Sequence, residues 1–226
     1  LAAVAASQYF ILGPEVEKFE TSAAAWLKVE HAVGVASGTD ALLIALMALE
    51  VGPGDEVIIP TFTFFATAGV VSRLGATPVF VDIDPVDFNM DPALVSAKIT
   101  DRTKAIVPVH LFGQSADLAA VAEAAGEIPI LEDCAQAWGA DFAGRYVGGH
   151  GVMGAFSFFP SKNLGGFGDG GLVTTNDDGE FEAVDLAEGN IQLRAVSPRH
   201  ATGRGETSLP AESTKPAEIL LSPGGR

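Results

Sequence analysis

Short apolar runs alternating with helical segments constrain this chain more than any other feature. Residues 31–36, 56–60, 79–81, 104–110, 128–131, 153–159 and 172–175 read as strands. Residues 15–27, the wholly apolar stretch 41–49, 66–74, 91–99 and 116–125 read as helices between them, with Pro92 at a tolerated first-turn position. Apolar strands joined through helices predict an α/β fold, a mostly parallel sheet covered by helices on both faces. Ligands of such sheets sit beyond the carboxyl ends of strands. Residues 37–40 and 62–65, Asp133 and Gln136 all fall there.

A length of 226 residues allows one large domain, or a domain plus a tail, and 48% hydrophobic residues supply a core. The richest apolar run, 41–49, is too short to span a bilayer and reads as a buried helix, so no membrane partner is expected. The net charge of -16 argues against a polyanion-binding surface and against nucleic acid as a partner. The single cysteine, Cys134, excludes an internal disulfide and a Cys-cluster metal site, and fits a reducing cytoplasm. His31, His110, His150 and His200 show no metal spacing, and His110 reads as a satisfied structural histidine. No secretory signal is read. The chain starts at Leu1, so its N-terminus is expected to be incomplete.

One lysine is unusual. Lys162 lies between an aromatic strand and a glycine run, in Phe-Ser-Phe-Phe-Pro-Ser-Lys-Asn-Leu-Gly-Gly. Apolar and small neighbours desolvate an ammonium and favour the neutral amine, a nucleophile towards carbonyls. Lys162 is therefore the candidate for holding a cofactor as a Schiff base. Gly166, Gly168 and Gly171 fit G-x-G-x-x-G by count, but a dinucleotide site needs a strand before the glycines and a helix after. Here a lysine loop precedes and a strand follows. A nicotinamide oxidoreductase is accordingly disfavoured, and the glycines are expected to let the backbone pass close beside Lys162.

Other positions carry two readings each. Residues 37–40, Ser-Gly-Thr-Asp, either cap the buried helix that follows or form an anion site suited to phosphate. Asp133 is either a helix cap or ion-pair partner, or a carboxylate opposite a pyridinium nitrogen. Phe64 packs in a core or lies on a flat ring. Gln136 caps a turn or contacts a ring oxygen. The hydroxyl of Ser157 alternates with core aromatics and can reach a phosphate. Cys134 reads as a small core residue.

Together these residues resemble the DegT/DnrJ/EryC1/StrS sugar aminotransferases, within the fold-type I pyridoxal-phosphate enzymes. The landmarks are residues 13–20 (GPEVEKFE), 37–42 (SGTDAL), 52–60 (GPGDEVIIP), 78–85 (PVFVDIDP), 108–114 (PVHLFGQ), 132–137 (EDCAQA) and 156–165 (FSFFPSKNLG). The resemblance runs from about Gly13 to Asp177 and implies pyridoxal 5′-phosphate as cofactor. It implies Lys162 as Schiff-base lysine and proton carrier, and Asp133 as partner of the pyridine nitrogen. Gly38, Thr39, Asp40 and Ser157 become phosphate contacts, Phe64 the stacking ring and Gln136 a contact near the ring hydroxyl. The implied reaction moves an amino group, from L-glutamate, to a keto group of a nucleotide-linked sugar in a cytoplasmic homodimer. A related branch, the sugar 3-dehydratases, has histidine in place of this lysine, so Lys162 favours transamination.

Residues 1–178 are thus expected to form a cofactor-binding large domain. Residues 179–226 are expected to be an atypical, disordered tail in place of a C-terminal domain. A truncated chain is expected, and with it an alternative, an inactive remnant that keeps the fold and binds cofactor without turnover.

Overall fold

The computed structural model describes residues 1–177, 181–183 and 193–195. Two compact units are present, Leu1–Asp177 and Asp178–Arg226. In the second, Phe181–Ala183 pairs antiparallel with Leu193–Ala195. The tail expected to be disordered otherwise lies outside the described residues.

The first unit holds helices α1 (Ala2–Ser7), α2 (Pro14–Leu27), α3 (Gly38–Ala48), α4 (Phe65–Arg73) and α5 (Leu118–Ala125). Its strands are β1 (His31–Val35), β2 (Glu56–Pro60), β3 (Thr77–Val81), β4 (Thr103–Ile106), β5 (Leu131–Asp133), β6 (Asp141–Phe142), β7 (Arg145–Tyr146), β8 (Met153–Ser157) and β9 (Gly171–Thr175). The hydrogen-bonded orders β1-β9-β8-β5 and β3-β2-β4 are joined by parallel bridges from Ile106 to Ile130 and from Val109 to Asp133. Strands β2, β3, β4, β5 and β8 pair in parallel, and β9 runs against both its neighbours, β8 and β1. β1 therefore points the same way as the parallel set, and the expected mostly parallel sheet is the one observed.

Both faces are covered. On one, Ala23 and Leu27 of α2 pack with Phe156, Phe158 and Leu172, and Val121 and Ala125 of α5 pack with Ile58 and Ile106. Trp26 extends this layer, stacked at 5.0 Å on Trp138 and at 4.3 Å on Tyr146. On the other face lie α3 and α4. α3 buries Ala41, Leu42, Leu43, Ala45 and Leu46, as its apolar sequence requires.

Three expected elements differ, and one of them, the strand read over 128–131, is observed as Leu131–Asp133. The helix over 91–99 is a pair of 3-10 turns, Pro92–Leu94 and Ser96–Lys98, begun by Asp91 accepting from the N–H of Ala93. The strand over 104–110 ends at Ile106. Pro108 has no N–H to continue a ladder, and pairing resumes only at the Val109 bridge.

β9 is packed tightly against the start of α3. A Cβ on Gly171 would stand 2.3 Å from the Ser37 carbonyl oxygen and 2.8 Å from the Gly38 nitrogen, whereas one on Gly168 meets nothing within 4 Å. The glycines beside Lys162 thus do different work. Gly171→Ala is expected to destabilise the protein by about 1–3 kcal/mol, and Gly168→Ala to stay within about 0.5 kcal/mol of the parent. Urea denaturation of the two variants checks this.

Candidate active site

Parallel strands share one carboxyl edge, and the loops leaving it gather the candidate residues. β1 leads into α3, β2 into α4, β5 ends at Asp133, and β8 ends at Ser157 with Lys162 in the loop beyond.

At the α3 start, Ser37 is the N-cap. Its Oγ accepts the N–H of Asp40 at 3.0 Å and donates to the Asp40 carboxylate at 2.8 Å. The capping reading of residues 37–40 is therefore realised at Ser37 and Asp40. Helix geometry leaves the N–H groups of Gly38 and Thr39 directed out of the N-terminus. Gly38 lies against β8, where a Cβ would be 2.5 Å from the Ser157 Cβ. Helix donors and the Ser157 side chain are thereby brought together, and Thr39 beside them is exposed.

Asp133 is 4% exposed. Its Oδ2 accepts from Thr67 Oγ1 at 2.8 Å and its Oδ1 from the N–H of Ala135 at 3.1 Å. Burial pushes its carboxyl above the usual carboxylate range, and the Ala135 and Thr67 bonds offset this only in part. The Lys162 ammonium acts on it in the same offsetting direction. Lys162 is half-buried, its backbone N–H bonded to the Phe159 carbonyl at 2.8 Å. Its Nζ stands 6.0 Å from the centroid of the Phe64 ring. Phe64 is the N-cap of α4 but makes no side-chain cap, and its ring is 69% exposed rather than packed in the core. Gln136 uses Oε1 to accept the N–H of Phe112 at 3.0 Å, holding the turn after β4 and leaving its amide NH2 as a donor.

Two residues that sequence reasoning missed support this arrangement. Thr67, on α4, reaches Asp133 across 66 positions; its only sequence signal is a second threonine, Thr63, one helical turn earlier. Glu132, fully buried, accepts from His110 Nε2 at 3.1 Å and from the N–H groups of Gly148, His150 and Gly151 at 2.7 Å each. The N–H of Ala116 donates to His110 Nδ1 at 3.0 Å, which leaves the ring proton on Nε2 facing Glu132. His110 is the satisfied structural histidine expected. Cys134 lies beside both in the core. Burial, then the Glu132 and Asp133 charges, push its thiol well up, which fits an inert core residue.

For Glu132, burial pushes the carboxyl up, but the bonds from His110, Gly148 and Gly151 outweigh it, and the net shift is downward. A lowered folded-state value contributes stability above the ordinary carboxylate range, lost as pH falls through the folded value. Glu132→Gln turns an amide NH2 toward groups that are themselves donors. It is expected to cost at least about 2 kcal/mol at pH 7, with the deficit shrinking below about pH 4. Denaturation midpoints across that range are the measurement.

Similar proteins exist. UDP-N-acetyl-3-dehydro-alpha-D-glucosamine 3-aminotransferase of Acidithiobacillus ferrooxidans is 56% identical over 170 residues, 74% of this chain and 46% of that protein. The crystal structure of DesV from S. venezuelae in complex with a ketimine intermediate is similar at a TM-score of 0.75 and 51% identity, covering 78% of this chain and 48% of that one. The structure of NtdA from Bacillus subtilis with bound cofactor PMP has a TM-score of 0.73 and 36% identity, covering 78% and 40%. The chain spans about half the length of the curated relatives it matches. The sequence profile of one family matches residues 1–200, past the Asp177 at which the resemblance read from the sequence ends. On that match the chain belongs to the DegT/DnrJ/EryC1/StrS aminotransferase family.

Proposed function

We propose that this chain carries the cofactor-binding part of a sugar aminotransferase. It moves an amino group, from L-glutamate, to a keto group of a nucleotide-linked sugar, with pyridoxal 5′-phosphate as cofactor. One observation carries the reading. Lys162, in the loop after β8, lies near enough to the buried Asp133 carboxylate at the end of β5 for its charge to favour the ionised form, with an exposed aromatic ring 6.0 Å from the lysine nitrogen. The NtdA structure with PMP and the named sugar aminotransferase relative support the cofactor and the substrate class.

The residues fit such a cofactor. Asp133 keeps a carboxylate in a buried place with two donors, and a protonated ring nitrogen supplies the missing compensation. The close contact of Gly38 with Ser157, which admits no Cβ, sets the first N–H groups of α3 beside the Ser157 hydroxyl as a cradle for phosphate. When bound, the cofactor supplies an electron sink and a carrier for the amino group. Lys162 Nζ would hold it covalently and, when free, would serve as the proton carrier of the site. Asp133 keeps the ring nitrogen protonated. The N–H groups of Gly38 and Thr39 at the positive end of α3, with the Ser157 hydroxyl, bind the phosphate. Asp40 holds the Ser37 cap that shapes this cradle. Phe64 would stack on the cofactor ring, and the Gln136 amide NH2, left free as a donor, would serve the ring hydroxyl.

A second copy of the chain belongs to this reading. Phe64, Phe65, Phe112 and Phe167, each at least 69% exposed, lie in the segments that follow the carboxyl ends of β2, β4 and β8, Phe65 as the first residue of α4. That apolar surface suits a homodimer covering the site. No helix among the described residues is long and apolar enough to cross a membrane, and a cytoplasmic location is proposed with the function.

Protein loaded with pyridoxal 5′-phosphate and reduced with borohydride should carry the label on the peptide containing Lys162. Lys162→Ala should take none, and glutamate-dependent conversion of the visible band should fall by at least about 10²-fold. A label on another lysine, unchanged in the variant, overturns the assignment.

A further inference from the structure

Asp133 is held through hydroxyls. Thr67 is 1% exposed and sits in the first turn of α4. A threonine there ordinarily returns its hydroxyl to a carbonyl one turn back. Instead Thr67 Oγ1 lies 2.8 Å from Asp133 Oδ2, and Thr63 Oγ1 lies 3.0 Å behind it. A hydroxyl has one hydrogen. With the Thr67 hydrogen given to Asp133, the Thr63 hydroxyl donates to Thr67. Both hydrogens then point toward the carboxylate, and the Ala135 N–H closes the other oxygen at 3.1 Å.

We propose that Thr67, backed by Thr63, is the positioning residue for Asp133: the two hydroxyls fix the rotation of its carboxylate and select its ionised form. The inference rests on the reading of Asp133 as partner of the cofactor ring nitrogen. Only an ionised, correctly rotated carboxylate can hold a ring nitrogen in its protonated state. A protonated Asp133 would accept more weakly from Thr67 and would present a weaker acceptor to the ring. Burial works against the charge, and the hydroxyl donor works for it. The charged and titratable groups around Asp133 are His110 beyond β4, Lys162 beyond β8 and Cys134, the residue that follows its strand. The first turn of α4 contributes Thr67 and no titratable group.

The test uses cofactor-free protein labelled with 13Cγ-aspartate, the Asp133 signal being identified by its loss in Asp133→Asn. Thr67→Val keeps the shape and deletes the hydroxyl. Its Asp133 titration midpoint should rise by about 1–2 pH units, the effect of losing one hydrogen bond to a charged group. Thr67→Ser should return it to the parent value. Thr63→Val should raise it by a smaller amount, and this variant decides the matter where Thr67→Val does not fold. An unmoved midpoint in folded Thr67→Val, or no recovery in Thr67→Ser, overturns the proposal. In loaded protein, Thr67→Val should move the pH at which the visible band changes, and Thr67→Ser should not. Failure of the parent protein to take up pyridoxal 5′-phosphate overturns the functional reading instead, and the titration result identifies which of the two has failed.

Discussion

Two consecutive buried carboxylates, Glu132 and Asp133, sit on one three-residue strand in the middle of the sheet, and much of the structure follows from how each is compensated. A buried charge costs several kcal/mol unless it is paired or hydrogen-bonded. The pleat sends adjacent side chains to opposite faces. Glu132 therefore turns to the side of His110 and the 148–151 loop, and Asp133 to the side of α4. Glu132 collects four donors, three of them backbone groups of the segment that leads into β8. In satisfying its own charge it fixes where β8 starts, and hence where Ser157 and Lys162 arrive.

The architecture was legible because it depends on local pattern. Apolar runs of strand length, broken by turn residues and helical stretches, define a parallel sheet whatever their details. Lys162 stood out because few surface lysines lie between an aromatic strand and a glycine run. Proline is where local reading failed. Pro108 ended a strand early by lacking a donor, and Pro129 delayed β5 to Leu131. The run 91–99 has a good cap in Asp91 but settled into two short turns. Thr67 and Glu132 were illegible for a different reason. Their meaning is a partner far along the chain or a set of loop amides, and neither leaves a periodic trace.

The same distinction separates stability from chemistry in the site. Three helix starts obey the local capping rule: Ser37, Asp91 and Asp117 cap their helices with side-chain oxygens. The start of α4 does not. Its cap residue is Phe64, whose ring caps nothing and stands exposed near Lys162. Phe112, on the neighbouring loop, holds a φ of 54° inside a 3-10 turn and is 74% exposed. An aromatic residue in the left-handed region is strained, whereas Lys28, also left-handed, merely ends α2. Asp133 has two donors where its neighbour has four. A sequence selected only for folding would mend each of these cheaply, with a capping serine, a glycine or an uncharged side chain. They lie together on the carboxyl edge of one sheet, which is the pattern expected where binding rather than stability has set the residues.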